Sequence, residues 1–206
     1  MSITINGSGT ITGISAGGLP DGSVTADDLA TDSVTTAKIE DSAITTAKLP
    51  SGSVIKVVSQ TKTDTANYTS SSSDYSSVIH SATITPESTT NQILIQFNGC
   101  FAATLNQRFW VALTCNGTII DAATGDASGL KTRASSTNVI NGSDNELKPL
   151  SANFLHSPAS TDPQVYGFVM GAEGGNTVYC NRSVTDSNSN TVARGITTIT
   201  LTEVVA

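Results

Sequence analysis

The sequence is poor in charged residues, in histidine and in cysteine, and each shortage narrows the classes of function. Charged side chains make up 13% of the 206 residues, against about 25% in typical globular domains. The formal net charge is −7 and no basic patch is present, which argues against a nucleic-acid partner. Two histidines and three cysteines, widely spaced, match no metal-ligand spacing. We therefore expect no metal and no cofactor.

Long apolar runs are also lacking. No stretch approaches the roughly 18 apolar residues of a membrane span, and the N-terminus lacks the basic and apolar regions of a secretory signal. We therefore expect no membrane insertion. We also expect the protein to be made in a reducing cytoplasm, where Cys100, Cys115 and Cys180 serve as small buried hydrophobic residues. Spacing alone leaves open whether any two of them form a disulfide.

The motifs of common catalytic sites are missing as well. No GxSxG, HExxH or Walker motif occurs, and the acidic residues of the C-terminal part give no pair that can be chosen for glycosidase chemistry. We therefore predict that the protein is not an enzyme. The single tryptophan, Trp110, is interpreted as core or inter-subunit packing, with a sugar-stacking platform as the alternative. Arg182 and Arg194 are expected either to pair with Asp186 or to face outward as ligand donors.

What the sequence does contain is an apolar residue at every fifth position from 14 to 54. We call these nine residues the apolar series: Ile14, Leu19, Val24, Leu29, Val34, Ile39, Ile44, Leu49 and Val54. At coarser grain the segment is a ten-residue repeat, DGSVTADDLA, TDSVTTAKIE and DSAITTAKLP. A period of five fits neither a helix nor a strand. Each repeat is predicted to join an extended piece to one helical turn capped by Thr25, Thr35 or Thr45.

One copy of this segment has too little apolar surface to fold alone. Nine apolar side chains cannot offset the conformational entropy of ordering about 40 residues. A flexible linker, in turn, has no need of an apolar side chain at every fifth position. We therefore predict that identical copies of the chain meet along the apolar series.

The segments on either side of the repeats have different patterns. Residues 1–13 alternate at Ile3, Ile5 and Ile11, which predicts a short strand, a turn and a second strand; this arm is either a frayed tail or an attachment tip. Residues 55–206 contain about eight to ten short strand patterns and no convincing helix, which is typical of an antiparallel β-sandwich or jelly roll. Asn116-Gly117 is a hairpin turn signal, residues 67–77 read as an exposed connection, and a strand is expected near residues 130–135.

The segment GSGTITGISAGGLPDGSVTADDLATDSVTTAKIEDSAITTAKLPSGSVI resembles the shaft leaders of bacteriophage tail-fibre and related virion-fibre proteins, particularly those of cyanophages and marine phages. Downstream, NFLHSPAS, NTVYCNRS and ARGITTITLTEV are similar to the globular tip of the same proteins. The repeats ending in TTAKI and TTAKL and the closing RGITTITLTEV are the most specific parts of the resemblance.

The resemblance implies a homotrimer whose N-terminus is fixed to the virion and whose β-rich head is distal. We accordingly expect an all-β protein with a virion-attachment arm (1–13, through Ile3, Ile5 and Ile11), a trimeric extended repeat shaft (14–54) and a jelly-roll-like head (55–206). The N-terminus would dock on a tail, baseplate or capsid protein after assembly in the bacterial cytoplasm.

The expected function is adhesion of the head to a host-surface glycan or protein. Host contact is assigned to four polar loop residues: Asp126, Asn145, Asp162 and Asn188. A capsid head-fibre or decoration protein of the same architecture is the alternative. A second alternative is a polysaccharide-degrading tailspike. The short shaft and the lack of a β-helix pattern argue against it.

Overall fold

The computed structural model describes residues 4–5, 11–12 and 24–206, and the chain divides into two compact units, Met1–Lys48 and Leu49–Ala206. We call the second unit the sandwich domain. It begins at Leu49 rather than at residue 55, because the turn before its first strand is bonded to the C-terminal segment. Gly52 N donates to Val205 O (2.8 Å), and Val205 N donates to Ser53 O (2.9 Å). Leu49 and Val54, the last members of the apolar series, therefore belong to the sandwich domain.

In the first unit, the alternating arm forms a small antiparallel pair. Strands β1 (Thr4–Ile5) and β2 (Ile11–Thr12) are paired with Ile5 opposite Ile11, as the alternation predicts. Ile3, Ile14 and Leu19 lie outside the described residues.

The ten-residue repeat has a matching ten-residue backbone period. A single 3₁₀ turn occupies Ala26–Asp28, Thr36–Lys38 and Thr46–Lys48. In each, the carbonyl of the preceding threonine accepts the first hydrogen bond, as in Lys38 N to Thr35 O (2.9 Å). The helical turn predicted after each threonine is therefore present. It is a 3₁₀ turn because three residues are too few to close an α-helical bond and continue it.

A tight turn separates one repeat from the next. Ser33 N donates to Ala30 O (3.0 Å), and Ala43 N donates to Glu40 O (3.0 Å). The third residue of each turn has a left-handed backbone, with φ of 60° at Asp32 and 66° at Ser42. Positive φ at this position is the requirement of a type II turn, which short polar residues tolerate better than branched ones.

The sandwich domain contains eleven strands arranged in two antiparallel sheets. The strands are β3 (Val54–Lys62), β4 (Ala66–Thr69), β5 (His80–Ile84), β6 (Gln92–Ala103), β7 (Arg108–Cys115), β8 (Thr118–Ile119), β9 (Ser136–Val139), β10 (Lys148–His156), β11 (Gln164–Ala172), β12 (Thr177–Cys180) and β13 (Thr197–Val204). This confirms the predicted all-β class and the β-sandwich.

The longest strand, β6, organises the six-stranded sheet. One of its edges pairs with β10, from Ile93↔His156 to Phe101↔Lys148. Its other edge pairs first with β13 and then, beyond Asn98, with β12. Strands β3 and β4 complete the sheet outside β13 and β12. The five-stranded sheet has the order β5-β11-β7-β8, with β9 also paired to β7.

The two sheets enclose an aromatic and aliphatic core. Phe97 and Phe101 of β6 meet Phe168 of β11, with ring centroids 4.8 Å and 5.8 Å from that of Phe168. Alternate residues of β6 and β13 fill the same layer, among them Ile95, Ile199 and Leu201, all fully buried. Strict alternation in these strands places their intervening polar residues on the outer face.

The prediction of a connection at residues 67–77 is wrong, the prediction of a strand near residues 130–135 is displaced, and one turn is confirmed. Residues 67–77 are not a free connection, because β4 pairs with β12 and Asp74 closes an ordered turn by accepting bonds from Ser70 Oγ (2.6 Å) and Ser71 N (3.1 Å). The strand expected near 130–135 is β9, slightly later in the chain. Asn116 and Gly117 have φ of 50° and 81°, the conformation of a type I′ hairpin turn.

Trp110 is packed within the sandwich domain rather than displayed to solvent. The residue is 6% exposed and lies against Gly171, where an added Cβ would overlap Trp110 Nε1 and the Asp74 carbonyl oxygen. The packing interpretation of this tryptophan is therefore confirmed, because a buried indole cannot stack on a sugar.

Gly171→Ala is expected to lower the free energy of unfolding by about 1–3 kcal/mol, because a methyl group there must displace a backbone carbonyl and an indole ring. Urea titration measures the change. Gly125→Ala is the matched control: the space around its Cβ position is open, so we expect a change within about 0.5 kcal/mol. Equal effects of the two substitutions would contradict the packing described above.

Candidate functional site

The sandwich domain has two ends, which we name by where the chain enters. The base contains Leu49, Val54 and the C-terminal residues after β13. The apex is the opposite end, where β6 ends and β7, β10 and β13 begin. Three apical loops, 104–107, 141–147 and 181–196, form what we call the apical cluster.

Asp144 joins the three loops of the apical cluster. Its carboxylate accepts a hydrogen bond from Leu105 N (3.0 Å), and its carbonyl accepts one from Thr185 N (3.1 Å). A second hydrogen bond, from Asn106 N to Ile140 O (2.6 Å), links the first loop to the residue just before the second. The cluster therefore presents one connected surface, although its loops are far apart in sequence.

Ion pairs between side chains hold the longest apical loop near its two ends. Arg194 lies 2.7 Å from Asp186 Oδ1, and Arg182 lies 3.4 Å from Asp186 Oδ2. The Arg182 guanidinium also stacks over the Tyr179 ring, 4.4 Å from its centroid, an arrangement that favours a fixed cation. Of the two alternatives for these arginines, pairing with Asp186 is confirmed. A shallow depression within the loop is lined by Asp186, Ser187, Asn188, Ser189, Val192 and Arg194.

Other charged side chains around the apex are also paired within the chain. Arg108 contacts Glu173 at 2.9 Å, and Lys148 contacts Glu146 at 3.0 Å. Lys62 donates to Asp64 at 2.7 Å, and this hydrogen bond lowers the pKa of the Asp64 carboxyl. These ion pairs lower the net charge of the apex, whose loops also offer hydroxyls, amides and backbone groups.

The four residues predicted to contact the host do not lie together. Asn145 and Asn188 are in neighbouring loops of the apical cluster. Asp162 is in the loop between β10 and β11, at the base. Asp126 lies in the long connection between β8 and β9. The sequence showed only that all four occupy polar loops, and it missed Asp144, whose role depends on loops that the fold brings together.

Asp186→Ala is expected to open the longest apical loop without unfolding the domain. Partly exposed ion pairs contribute only about 0–1 kcal/mol each, so the urea midpoint should shift little. Cleavage by trypsin after Arg182 and Arg194 should become several times faster, because both arginines lose their partner. Asp162→Ala, in the loop at the base, is the control and should leave the cleavage rate at these sites unchanged. An unaltered rate in Asp186→Ala would mean that the ion pairs do not hold the loop.

Of the three cysteines expected to be buried, Cys180 is buried, whereas Cys100 and Cys115 are partly exposed, so the expectation is wrong for these two. All three cysteines are free, and burial raises the pKa of the Cys180 thiol to about 11, which keeps it protonated and unreactive near neutral pH. His156 Nδ1 lies 2.9 Å from the Tyr166 hydroxyl, and burial lowers the pKa of this imidazole. Within residues 24–206 and the short β1–β2 pair, no cluster of three or more His, Cys, Asp or Glu residues could hold a metal ion.

The described members of the apolar series in the repeats are exposed on the single chain. Their exposed fractions are 51% for Val24, 48% for Leu29, 55% for Val34, 41% for Ile39 and 56% for Ile44. A recurring row of half-exposed valine, leucine and isoleucine is unusual for a monomer, because large apolar surfaces generally mark contact sites.

Comparison with known proteins gives only weak structural likeness, of which one viral chain is an example. No protein-family model matches the chain, and no curated protein matches it. A chain in the solved structure of infectious bursal disease virus, Gx strain, is similar over 73% of this chain, with 11% identity and a TM-score of 0.37. This chain spans 37% of the length of that chain, and the similarity is too low to bear on function.

Among the residues that the structure describes, no helix has both the length and the apolar content needed to cross a lipid bilayer.

Proposed function

We propose that the protein is a structural fibre protein of a bacteriophage virion, a homotrimer that carries three sandwich domains on a short repeat shaft. The observation that carries the proposal is the apolar series. In the repeats two of these side chains fall in each ten-residue backbone period, and the described ones are about half exposed on one chain. Identical copies meeting along the series would remove this apolar surface from water. The copy number of three rests on the resemblance of the repeats to fibre shafts.

The β1–β2 arm is proposed to attach the fibre to the virion, with Ile5 and Ile11 side by side in the paired strands. The apical cluster is proposed to bind the host surface. Its charges are paired internally and its exposed groups are polar, so each contact with a glycan or protein would be weak. Three copies per fibre would strengthen such contacts by raising the effective concentration of the second and third sites.

The mass of the purified protein tests this proposal. Light scattering should give three times the chain mass of 21.1 kDa, and the repeat segment should resist protease in the assembled state. A mass of one chain together with rapid cleavage within the first 50 residues would refute the proposed assembly.

Incubation with host polysaccharide tests the absence of enzymatic activity in the proposal. The polysaccharide chains should keep their full length; shortened chains would favour a tailspike.

A further inference from the structure

The outer face of the six-stranded sheet carries no charge in the half formed by β3, β13, β6 and β10. Strand register aligns twelve outward-facing residues in three rows that cross β3, β13, β6 and β10. The rows are Thr61–Thr198–Asn98–Ser151, Ser59–Thr200–Gln96–Asn153 and Val57–Thr202–Leu94–Leu155. Hydroxyls within the rows bond to one another, as between Ser59 and Thr200 (2.9 Å). In a chain of net charge −7, this face can approach an identical copy without bringing like charges together.

Three of the four residues in the row nearest the base are apolar, and the fourth, Thr202, is buried between them. Val57 is 59% exposed and Leu155 is 45% exposed, and they stand at opposite ends of the row, with Thr202 and Leu94 between them. Val54 and Val204, paired just below this row, extend the apolar surface toward the base. Val54 is also the last residue of the apolar series. The line of residues that we propose to meet between copies therefore ends on this face.

The central part of the outer face of the other sheet is already covered by the chain itself. Its outward-facing residues Ala112, Thr114 and Val169 are buried, as is Trp110. The segment around Tyr75 crosses this side, and the Tyr75 hydroxyl donates to the Arg133 carbonyl. Exposed outward-facing residues therefore continue across four strands on the six-stranded sheet, whereas on the other sheet the middle of the outer face is occupied.

We infer that this uncharged outer face packs against a second copy of the chain, with the Val57–Leu155 row as its apolar centre. The inference rests on the proposed self-association and adds the surface through which the sandwich domains take part. Four strands about 4.8 Å apart and seven residues rising about 3.3 Å each give a face of roughly 400 Å². A stable interface uses about 800 Å² per partner, so this face supplements the contact along the repeats and does not replace it.

Dilution experiments on the full chain test the inference. Val57→Asp with Leu155→Asp should raise the concentration at which the assembly half-dissociates by at least about tenfold, because each copy would bury two unpaired charges. Leu130→Asp with Val165→Asp is the matched control, since it adds the same charge at exposed apolar positions elsewhere. We expect it to change that concentration less than about threefold. Equal effects of the two pairs would overturn the inference.

Cross-linking gives a second readout that does not depend on the stability of a variant. p-Benzoylphenylalanine in place of Ser59 should, on irradiation, join copies into bands at multiples of the chain mass. The same group in place of Ser128, in the connection between β8 and β9, should not. Wild-type protein with a trimeric mass but without cross-links from position 59 would overturn this inference and leave the proposed function standing. Wild-type protein with the mass of one chain would refute the proposed function itself. Cross-links from position 59 to added host glycan, in place of a second copy, would likewise overturn the inference.

Discussion

Replacing Val34 and Ile44 together by aspartate is expected to reduce the assembled protein to single chains of 21.1 kDa, a threefold loss of mass. Both side chains are more than half exposed on one chain, so the substitutions should leave the monomer's own fold intact. An interface that closes over them would instead bury two charges per copy without partners, which is strongly unfavourable. Light scattering at several protein concentrations measures the change.

Asn145→Asp with Asn188→Asp provides the control for this prediction. It adds the same two negative charges, but at the apical cluster, and should leave the mass unchanged. If the apical pair dispersed the assembly as readily as the repeat pair, the contact between copies would lie in the sandwich domain and not along the apolar series.

Glu203→Ala is expected to lower the free energy of unfolding by about 3 kcal/mol or more, because it removes two hydrogen bonds to a buried carboxylate, each worth about 1.5–3 kcal/mol. Glu203 is fully buried in β13. One carboxylate oxygen accepts from Glu87 N (2.6 Å) and Asn91 Nδ2 (2.8 Å). The other lies 3.6 Å from Lys56 Nζ, which is an ion pair without a hydrogen bond. Removing the carboxylate leaves the Asn91 amide without its acceptor and weakens the hold on the loop between β5 and β6.

Two further substitutions separate the charge of Glu203 from its packing. Glu203→Gln keeps an oxygen for Asn91 and should cost less than Glu203→Ala. Glu87→Ala removes a partly exposed carboxylate 3.5 Å from the same lysine and should cost no more than about 1 kcal/mol. Urea unfolding at neutral pH measures all three. A loss of under about 1 kcal/mol in Glu203→Ala would mean that the buried carboxylate contributes little.

The strands with strict alternation could be predicted from the sequence, because one buried face determines which residues are apolar. Strands β6 and β13 are of this kind, because their buried and exposed residues largely alternate. Strand β4 could not be predicted, because Asn67, Tyr68 and Thr69 precede a run of serines and the strand gains its order from pairing with β12. Local composition contains no record of a partner more than a hundred residues away.

Glu203 is a second example of a role that depends on contacts distant in sequence. Alternation in β13 places Glu203 on the face of Ile199 and Leu201, so its burial could have been predicted. Its acceptor role could not, because Asn91 is 112 positions away in the sequence. Asp144 at the apex is a similar case, since it gains its importance from two loops that meet it only in the folded chain. The apolar series, by contrast, could be recognised in the sequence because its residues recur at a fixed spacing within one short segment.

The position of β13 also determines how late in synthesis the six-stranded sheet can be completed. This strand lies between β3 and β6, and its residue Thr200 bonds to Ser59, 141 positions earlier. The six-stranded sheet therefore stays incomplete until the ribosome has made β13, and pairings so distant in sequence form slowly. The repeats leave the ribosome long before that. We expect neighbouring nascent chains on one messenger RNA to expose their repeats to each other while their sheets are still open, so that association precedes completion of the fold.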